Sequence, residues 1–239
     1  MTQALIFSGG INHPFPDSAP ALAAVLGETG LEVRLSFELD EILAGLRANP
    51  QALLVVYALR WGMTQHEKYE PHRAQWAMTL SAAAREAIAG HVRTGGGLLG
   101  LHTASICFDD WAEWGDVLGG AWQWGTTYHP LLGPVRAKLD AEHWLTRGLG
   151  DFALTDEVYT NQRVLPGVEI VGWAETVGPD SPATGWQPAL WTHRYGAGRV
   201  VYDALGHDAA SLQHPIHRRL VQRAALWASG HPQHIVEAA

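Results

Sequence analysis

The sequence predicts an α/β fold: a doubly wound, mainly parallel sheet with antiparallel strands added in its C-terminal half. Three observations carry this. Strand-like and helix-like segments alternate through the first hundred residues in the order β-α-β-α-β-loop-α-β. Residues 52–59 (ALLVVYAL) and 98–101 (LLGL) are continuous apolar runs, as expected of strands buried on both faces of a parallel sheet. Later the pattern changes to strands joined by turns, with Tyr195-Gly196-Ala197-Gly198 as a hairpin signal, before a last helix.

Each element follows from local chemistry. Residues 4–7 read as a first strand, followed by a Gly/Pro/Asn loop that carries His13. The next helix is expected to use Asp17 or Ser18 as N-cap and Pro20 in its first turn, with Leu22, Val25 and Leu26 on its buried stripe. Residues 31–37 (LEVRLSF) alternate as a half-exposed strand, and 39–46 form a short helix broken by Asn49-Pro50. Residues 60–78 hold Trp61, His66, Tyr69, His72 and Trp76 without a clean period, which predicts a lid or binding loop. A helix over 80–93 places Ala84, Ile88 and Val92 on one face.

Residues 95–105, GGGLLGLHTAS, are the centre of the reading. Glycines end a helix, a buried strand follows, and the strand stops at His102 before Thr103, Ala104 and Ser105. A strand followed by a sharp turn on small residues is the layout of a nucleophile elbow, here tipped by an imidazole. Beyond it come a short helix and a Gly/Trp-rich turn (111–124), an extended segment interrupted by Pro130 and Pro134 (126–139), and a tight helical turn (143–149). Strands follow over 168–177 and, as a hairpin, 189–205. A final helix over 215–229 is expected to bury Ile216, Leu220, Ala224 and Trp227. With no repeat, linker or low-complexity segment, residues 1–239 read as a single domain.

Composition narrows the function classes. The 239 residues are 47% apolar and 17% charged, ordinary values for a soluble protein. The net charge of −8 and the absence of a Lys/Arg cluster argue against nucleic acid as a partner. No apolar run is long enough to span a membrane, and the N-terminus lacks the pattern of a signal peptide. The lone Cys107 cannot form an internal disulfide and fits a reducing cytoplasm. A homo-oligomer is compatible with all of this. Thirteen histidines and eleven tryptophans stand out: imidazoles carry protons or bind metals near neutral pH, and indoles offer flat apolar faces with one donor.

Ligands of doubly wound sheets bind beyond the carboxyl ends of the strands. His13, His102 and His207 each follow such a strand and are expected on one rim. In Asp156-Glu157-Val158-Tyr159, an extended backbone puts Glu157 and Tyr159 on the same side. His102, Glu157, Tyr159 and His207 are therefore the candidate catalytic residues, and His13, His129, Trp191 and Asp208 the candidate substrate-binding ones. His102, Glu157 and His207 also suit a divalent ion such as zinc, although no short ligand pair on a helix demands one. The competing structural readings are a backbone hydrogen bond at each strand end for the histidines, a helix cap for Asp208, a solvated strand end for Asp156, and core packing for the tryptophans.

Three segments together resemble the ThuA-like family, named for trehalose utilisation, which has a class I glutamine-amidotransferase-like, flavodoxin-like fold. They are GGGLLGLHTAS (95–105), HWLTRGLGDFALTDEVY (143–159, with Trp144 where the family has proline) and PALWTHRYGAGRVVYDALGHD (188–208). His13 matches a histidine often found after the family's first strand. The resemblance implies work on trehalose-type disaccharides or their 3-keto derivatives. A glutaminase of that fold needs G-x-C-x-G at the elbow and His-x-Glu after the last strand. Here Gly100-Leu101-His102-Thr103-Ala104 and His207-Asp208-Ala209 stand instead, so the thiolate nucleophile is missing. The chemistry left to His and Glu is proton transfer beside a carbonyl, giving isomerisation or elimination, with His102 or His207 as base, Glu157 as its partner and Tyr159 as donor to the enolate. The alternatives are a non-catalytic sugar-binding protein on the same scaffold and a metal-dependent hydrolase.

Overall fold

The apolar runs pair with one another first. In the computed structural model, which describes residues 2–178 and 182–239, the strands β1 (Gln3–Gly10), β2 (Glu32–Ser36), β3 (Leu53–Leu59), β4 (Gly97–Leu101) and β11 (Gly198–Asp203) pair in parallel. Antiparallel pairing then continues from β11 through β10 (Gln187–Tyr195), β9 (Glu169–Thr176), β6 (Gly133–Leu139) and β7 (Phe152–Asp156). The order across this nine-stranded sheet is β2-β1-β3-β4-β11-β10-β9-β6-β7. Its parallel part has the flavodoxin-like 2-1-3-4-5 order, with the topological switch between β1 and β3. A short pair, β5 (Gly120–Ala121) with β8 (Arg163–Val164), lies apart. Every residue of β3 and β4 is buried, as their unbroken apolar sequences require.

Helices cover the sheet in two groups. α1 (Phe15–Gly27), α6 (Ala209–Gln213), α7 (Pro215–Ala228) and α8 (Gln233–Ala238) pack on one another, while α2 (Leu39–Ala48), α4 (Ala82–Arg93) and α5 (Trp114–Leu118) form the second group. Ser81 caps α4 by accepting the amide of Ala84, and Ala84, Ile88 and Val92 are buried as their spacing requires. Close approach of α7 to β4 explains one glycine: a Cβ on Gly97 would lie 2.2 Å from the carbonyl oxygen of Ala228. Among the described residues no helix is long and apolar enough to cross a membrane.

Several boundaries differ from expectation. α1 begins at Phe15 after Pro14 in the N-cap position, three to four residues before Asp17 or Ser18. Pro16 occupies the first turn, the Ser18 hydroxyl donates back to the carbonyl of Pro14, and Pro20 lies inside the helix. Residues 60–78 contain a 3-10 turn (Glu67–Tyr69) and helix α3 (Glu70–Trp76). They are tied down by Arg60 Nε to the Trp76 carbonyl, Arg73 Nε to the Met63 carbonyl and the Gly62 amide to Asp109. Residues 143–149 form the expected tight turn, with the Arg147 amide donating to the His143 carbonyl at 2.8 Å. α6 and α8 flank the helix expected to be last, and on α7 the buried face runs through His217, Leu220, Val221 and Ala224, leaving Ile216 and Trp227 only partly buried.

Candidate functional site

The turn after β4 is strained and held from several sides. His102 has φ +48°, a left-handed conformation that a side chain disfavours. Tyr202 donates its hydroxyl proton to the His102 carbonyl (2.8 Å), Trp114 Nε1 donates to Ala104 O (2.8 Å), and Thr103 Oγ1 donates to Ala58 O (2.6 Å). Strain of about 1–3 kcal/mol persists only where surroundings over-determine it in this way. Cys107, five residues on, is buried with its thiol pushed up to about 12 by desolvation, so no thiolate is available.

The elbow presents its imidazole in one tautomer. His102 Nδ1 lies 2.8 Å from the carbonyl of Ala204, which can only accept, so Nδ1 carries the proton and Nε2 bears the lone pair. That lone pair faces His13 Nε2 at 3.0 Å, the Tyr159 hydroxyl at 3.2 Å and Glu157 Oε2 at 3.4 Å. His13 Nε2 is 3.7 Å from the same carboxylate oxygen. His207 Nδ1 and His129 Nδ1 each lie 3.5 Å from Glu157 Oε1. One carboxylate is thus ringed by four imidazoles. The Tyr159 ring stacks on His102 at 4.8 Å between centroids.

Burial divides the cluster. His102 and Tyr159 form its floor, with His102 fully buried. The side chains of His13, Glu157 and His207 are 6%, 8% and 12% exposed, whereas His129 is 35% exposed. Desolvation lowers the pKa of His13 to about 4, leaving that ring neutral at pH 7. Burial would raise the Glu157 pKa, but the imidazoles of His102, His13 and His207 outweigh it and hold the carboxyl well below the usual range. Burial would lower the His207 pKa, and Glu157 beside it reverses the sign. Desolvation and the nearby Glu157 charge raise Tyr159 well above an ordinary phenol, which keeps it a proton donor. His13 Nε2, His102 Nε2, a Glu157 oxygen and a His207 ring nitrogen all lie within 4.8 Å of one another, close enough for one metal ion.

The expected rim exists: His13 follows β1, His102 follows β4 and His207 follows β11, and Glu157 and Tyr159 both reach His102 as an extended backbone implies. His13 belongs at the centre of the cluster, beside His102. Four expectations are corrected. Trp191 is fully buried, donates Nε1 to Leu118 O and packs on Tyr202, so it cannot touch a sugar. Trp61 is likewise core, at 1% exposure. Asp208 caps α6 by accepting the Ser211 amide. Asp156, read as a solvated strand end, is 1% exposed and accepts the amides of Glu157, Gly206 and His207 and the Ser211 hydroxyl. It fixes the turn through Gly206, whose φ of +112° requires glycine, and so places both Glu157 and His207. The only sequence signal for Asp156 was its position beside Glu157.

Trp122 leads outward from the cluster. Its ring meets Tyr159 at 5.2 Å and Trp124 at 5.9 Å. It also lines a cavity of about 240 Å³ with Trp111, Trp114, Trp124, Asp109 and Arg163.

Known proteins share this fold. The family model ThuA, described as trehalose utilisation, matches residues 3–228. A ThuA-like protein from Parabacteroides merdae ATCC 43184 superposes with a TM-score of 0.74 at 18% identity, covering 96% of this chain and 90% of its own. A ThuA-like protein from Bacteroides uniformis ATCC 8492 gives 0.65 at 17% identity, covering 95% and 91%. A cytoplasmic protein from Salmonella typhimurium LT2 gives 0.58 at 14% identity, covering 98% and 99%. At these identities the likeness is one of fold. No curated protein matches the sequence.

Proposed function

We propose, from the premise that the chain belongs to the ThuA trehalose-utilisation family, that it is a cytoplasmic enzyme of carbohydrate metabolism that moves a proton beside the carbonyl of an oxidised, 3-keto glycoside. The observation that carries this reading is the single carboxylate, Glu157, ringed by His13, His102, His129 and His207 over a phenol floor. Such a site has proton carriers and no nucleophile.

Burial reassigns the base. His102, one of the two bases the sequence suggested, is fully buried with its lone pair turned to three neighbours, so a substrate C–H bond cannot reach it. His129 is the open member. Its Nδ1 lies 2.9 Å from the carbonyl of Pro130 and 3.5 Å from Glu157, which orients the ring and leaves Nε2 to accept a proton. In this reading His129 takes the proton from the carbon next to the ketone. The electron pair of that C–H bond passes to the carbonyl oxygen, and the resulting enolate faces the cluster and the Tyr159 donor. Reprotonation gives an isomer, and loss of a neighbouring leaving group gives elimination. The indoles of Trp122 and Trp124 suit the apolar face of a second sugar ring.

The test is exchange of the C2 proton of 3-keto-trehalose or a 3-keto-glucoside in deuterated water, followed by NMR. Exchange by the wild type and its loss in His129→Ala are expected. Binding without exchange of any such sugar would overturn the enzymatic reading in favour of a sugar-binding protein.

A further inference from the structure

The cluster holds buried polar atoms that its own groups do not satisfy. His102 Nε2 carries a lone pair, because its Nδ1 proton is committed to Ala204 O. His13 faces it with Nε2 at 3.0 Å, while His13 Nδ1 points at the carbonyl of Ile11 at 3.4 Å. With the His13 proton on Nδ1 two lone pairs face each other, and with it on Nε2 His13 donates to His102; in either tautomer two further atoms stay unpaired. Glu157 Oε2 and His207 Nδ1, both buried, have no hydrogen-bond partner. Buried polar atoms are almost always paired, so two orphans in one cluster call for a missing partner. A cation satisfies all four atoms at once.

We propose that His13 Nε2, His102 Nε2, His207 Nδ1 and the Glu157 carboxylate bind one divalent first-row transition ion. Tetrahedral coordination with metal–nitrogen bonds of about 2.0–2.1 Å sets neighbouring ligand atoms about 3.4 Å apart. Here four pairs lie 3.0, 3.4, 3.5 and 3.7 Å apart, with Glu157 Oε2 facing His102 and His13 and Oε1 facing His207, and all four ligand atoms lie within 4.8 Å of one another. Three imidazoles and one carboxylate suit zinc and its neighbours, whereas magnesium and calcium prefer all-oxygen sets. The outer contacts are those of a built site. Ala204 O fixes the His102 tautomer, and Asp156 holds the backbone of both Glu157 and His207. The Glu157 charge offsets one of the ion's two, leaving a net positive site for an oxygen ligand on the side of His129. The ion's part in sugar chemistry rests on the reading above, where it would polarise the ketone while His129 takes the proton. Its binding does not depend on that reading.

The test uses the full chain, stripped with a chelator and titrated with cobalt(II) and zinc(II). We expect one equivalent of cobalt to give visible d–d absorption, one equivalent of zinc to displace it, and zinc to raise the melting temperature. Elemental analysis of protein purified without added metal should find about one ion per chain. Glu157→Gln and His102→Ala should lose the cobalt band and the zinc-induced thermal shift. His13→Gln serves the same purpose if either variant fails to fold. His129→Ala should keep the band while losing deuterium exchange, which separates failure of the metal site from failure of the proposed reaction. Stoichiometric uptake absent in the wild type, or unchanged in the ligand variants, overturns the proposal.

Discussion

Two clusters of histidine and carboxylate meet at Asp156 and behave oppositely. In the first, His13, His102, His207 and Glu157 converge with two buried polar atoms unpaired. In the second, His217 lies between Asp203 (Nε2 to Oδ2, 3.1 Å) and the carbonyl of Ser211 (Nδ1, 2.8 Å). Both nitrogens face acceptors, so this buried ring is an imidazolium. Asp203 also accepts the Leu205 amide, and Asp156 accepts three amides and the Ser211 hydroxyl. Among the described residues, the second cluster leaves no side-chain atom unpaired. Residue type therefore does not separate scaffold from chemistry; satisfaction of hydrogen bonds does. The second cluster spends its groups holding the turn at 203–208, and the first keeps its groups available.

The sharpest way to break this comparison is to compare losses of rate and of stability at the two clusters. His129→Ala should lower deuterium exchange about 10²- to 10⁴-fold, measured by NMR, with the melting temperature unchanged. Asp203→Asn leaves a buried imidazolium uncompensated and should cost about 3–5 kcal/mol in urea denaturation. Glu157→Gln removes a carboxylate that the imidazoles favour but whose Oε2 is unpaired, so metal-free protein should lose at most about 2 kcal/mol, clearly less than Asp203→Asn. If Glu157→Gln destabilises as much as Asp203→Asn, the distinction fails.

The pH dependence follows from His217. Burial lowers its pKa, but Asp203, with Asp156 and the Ser211 carbonyl, reverses the sign and raises it above the ordinary value. A raised pKa stabilises the fold fully below the unfolded value of about 6.5. That stabilisation is lost as pH rises through the folded value. The stability gap between wild type and His217→Gln should therefore be largest in mild acid and shrink at alkaline pH, as read by denaturation at several pH values. Neighbouring His214, whose pKa is lowered by burial, should not produce this slope. The smallest effect is expected at Trp124, which is 38% exposed beside Trp122. Trp124→Ala should raise KM for a keto-disaccharide about two- to tenfold, the value of one aromatic contact, and leave a keto-monosaccharide unaffected.

Local pattern carried the framework well. The runs ALLVVYAL and GLLGL became fully buried parallel strands, Leu22, Val25 and Leu26 faced the core, and the turn at 195–198 closed a hairpin. Errors arose where the pattern was ambiguous. Pro16 and Pro20 both suit a helix start, and only packing chose the first. Tryptophans in irregular sequence read alike, yet Trp61 and Trp191 are core while Trp124 is open.

What the sequence by itself determined is the alternation of strands and helices, the three strand ends that carry His13, His102 and His207, and the absence of an elbow cysteine. These depend on neighbours within a few residues, where periodicity and turn chemistry act. Only the tertiary structure decided that Glu157, just past the end of edge strand β7, comes within 3.4 Å of His102, that Asp156 ties Glu157 to the turn at 206–207, and that His217 pairs with Asp203. Those contacts join groups 14 to 55 residues apart in the chain. Their geometry, and the unpaired atoms it leaves, follow from how the whole sheet and its connections pack, which no local spacing encodes.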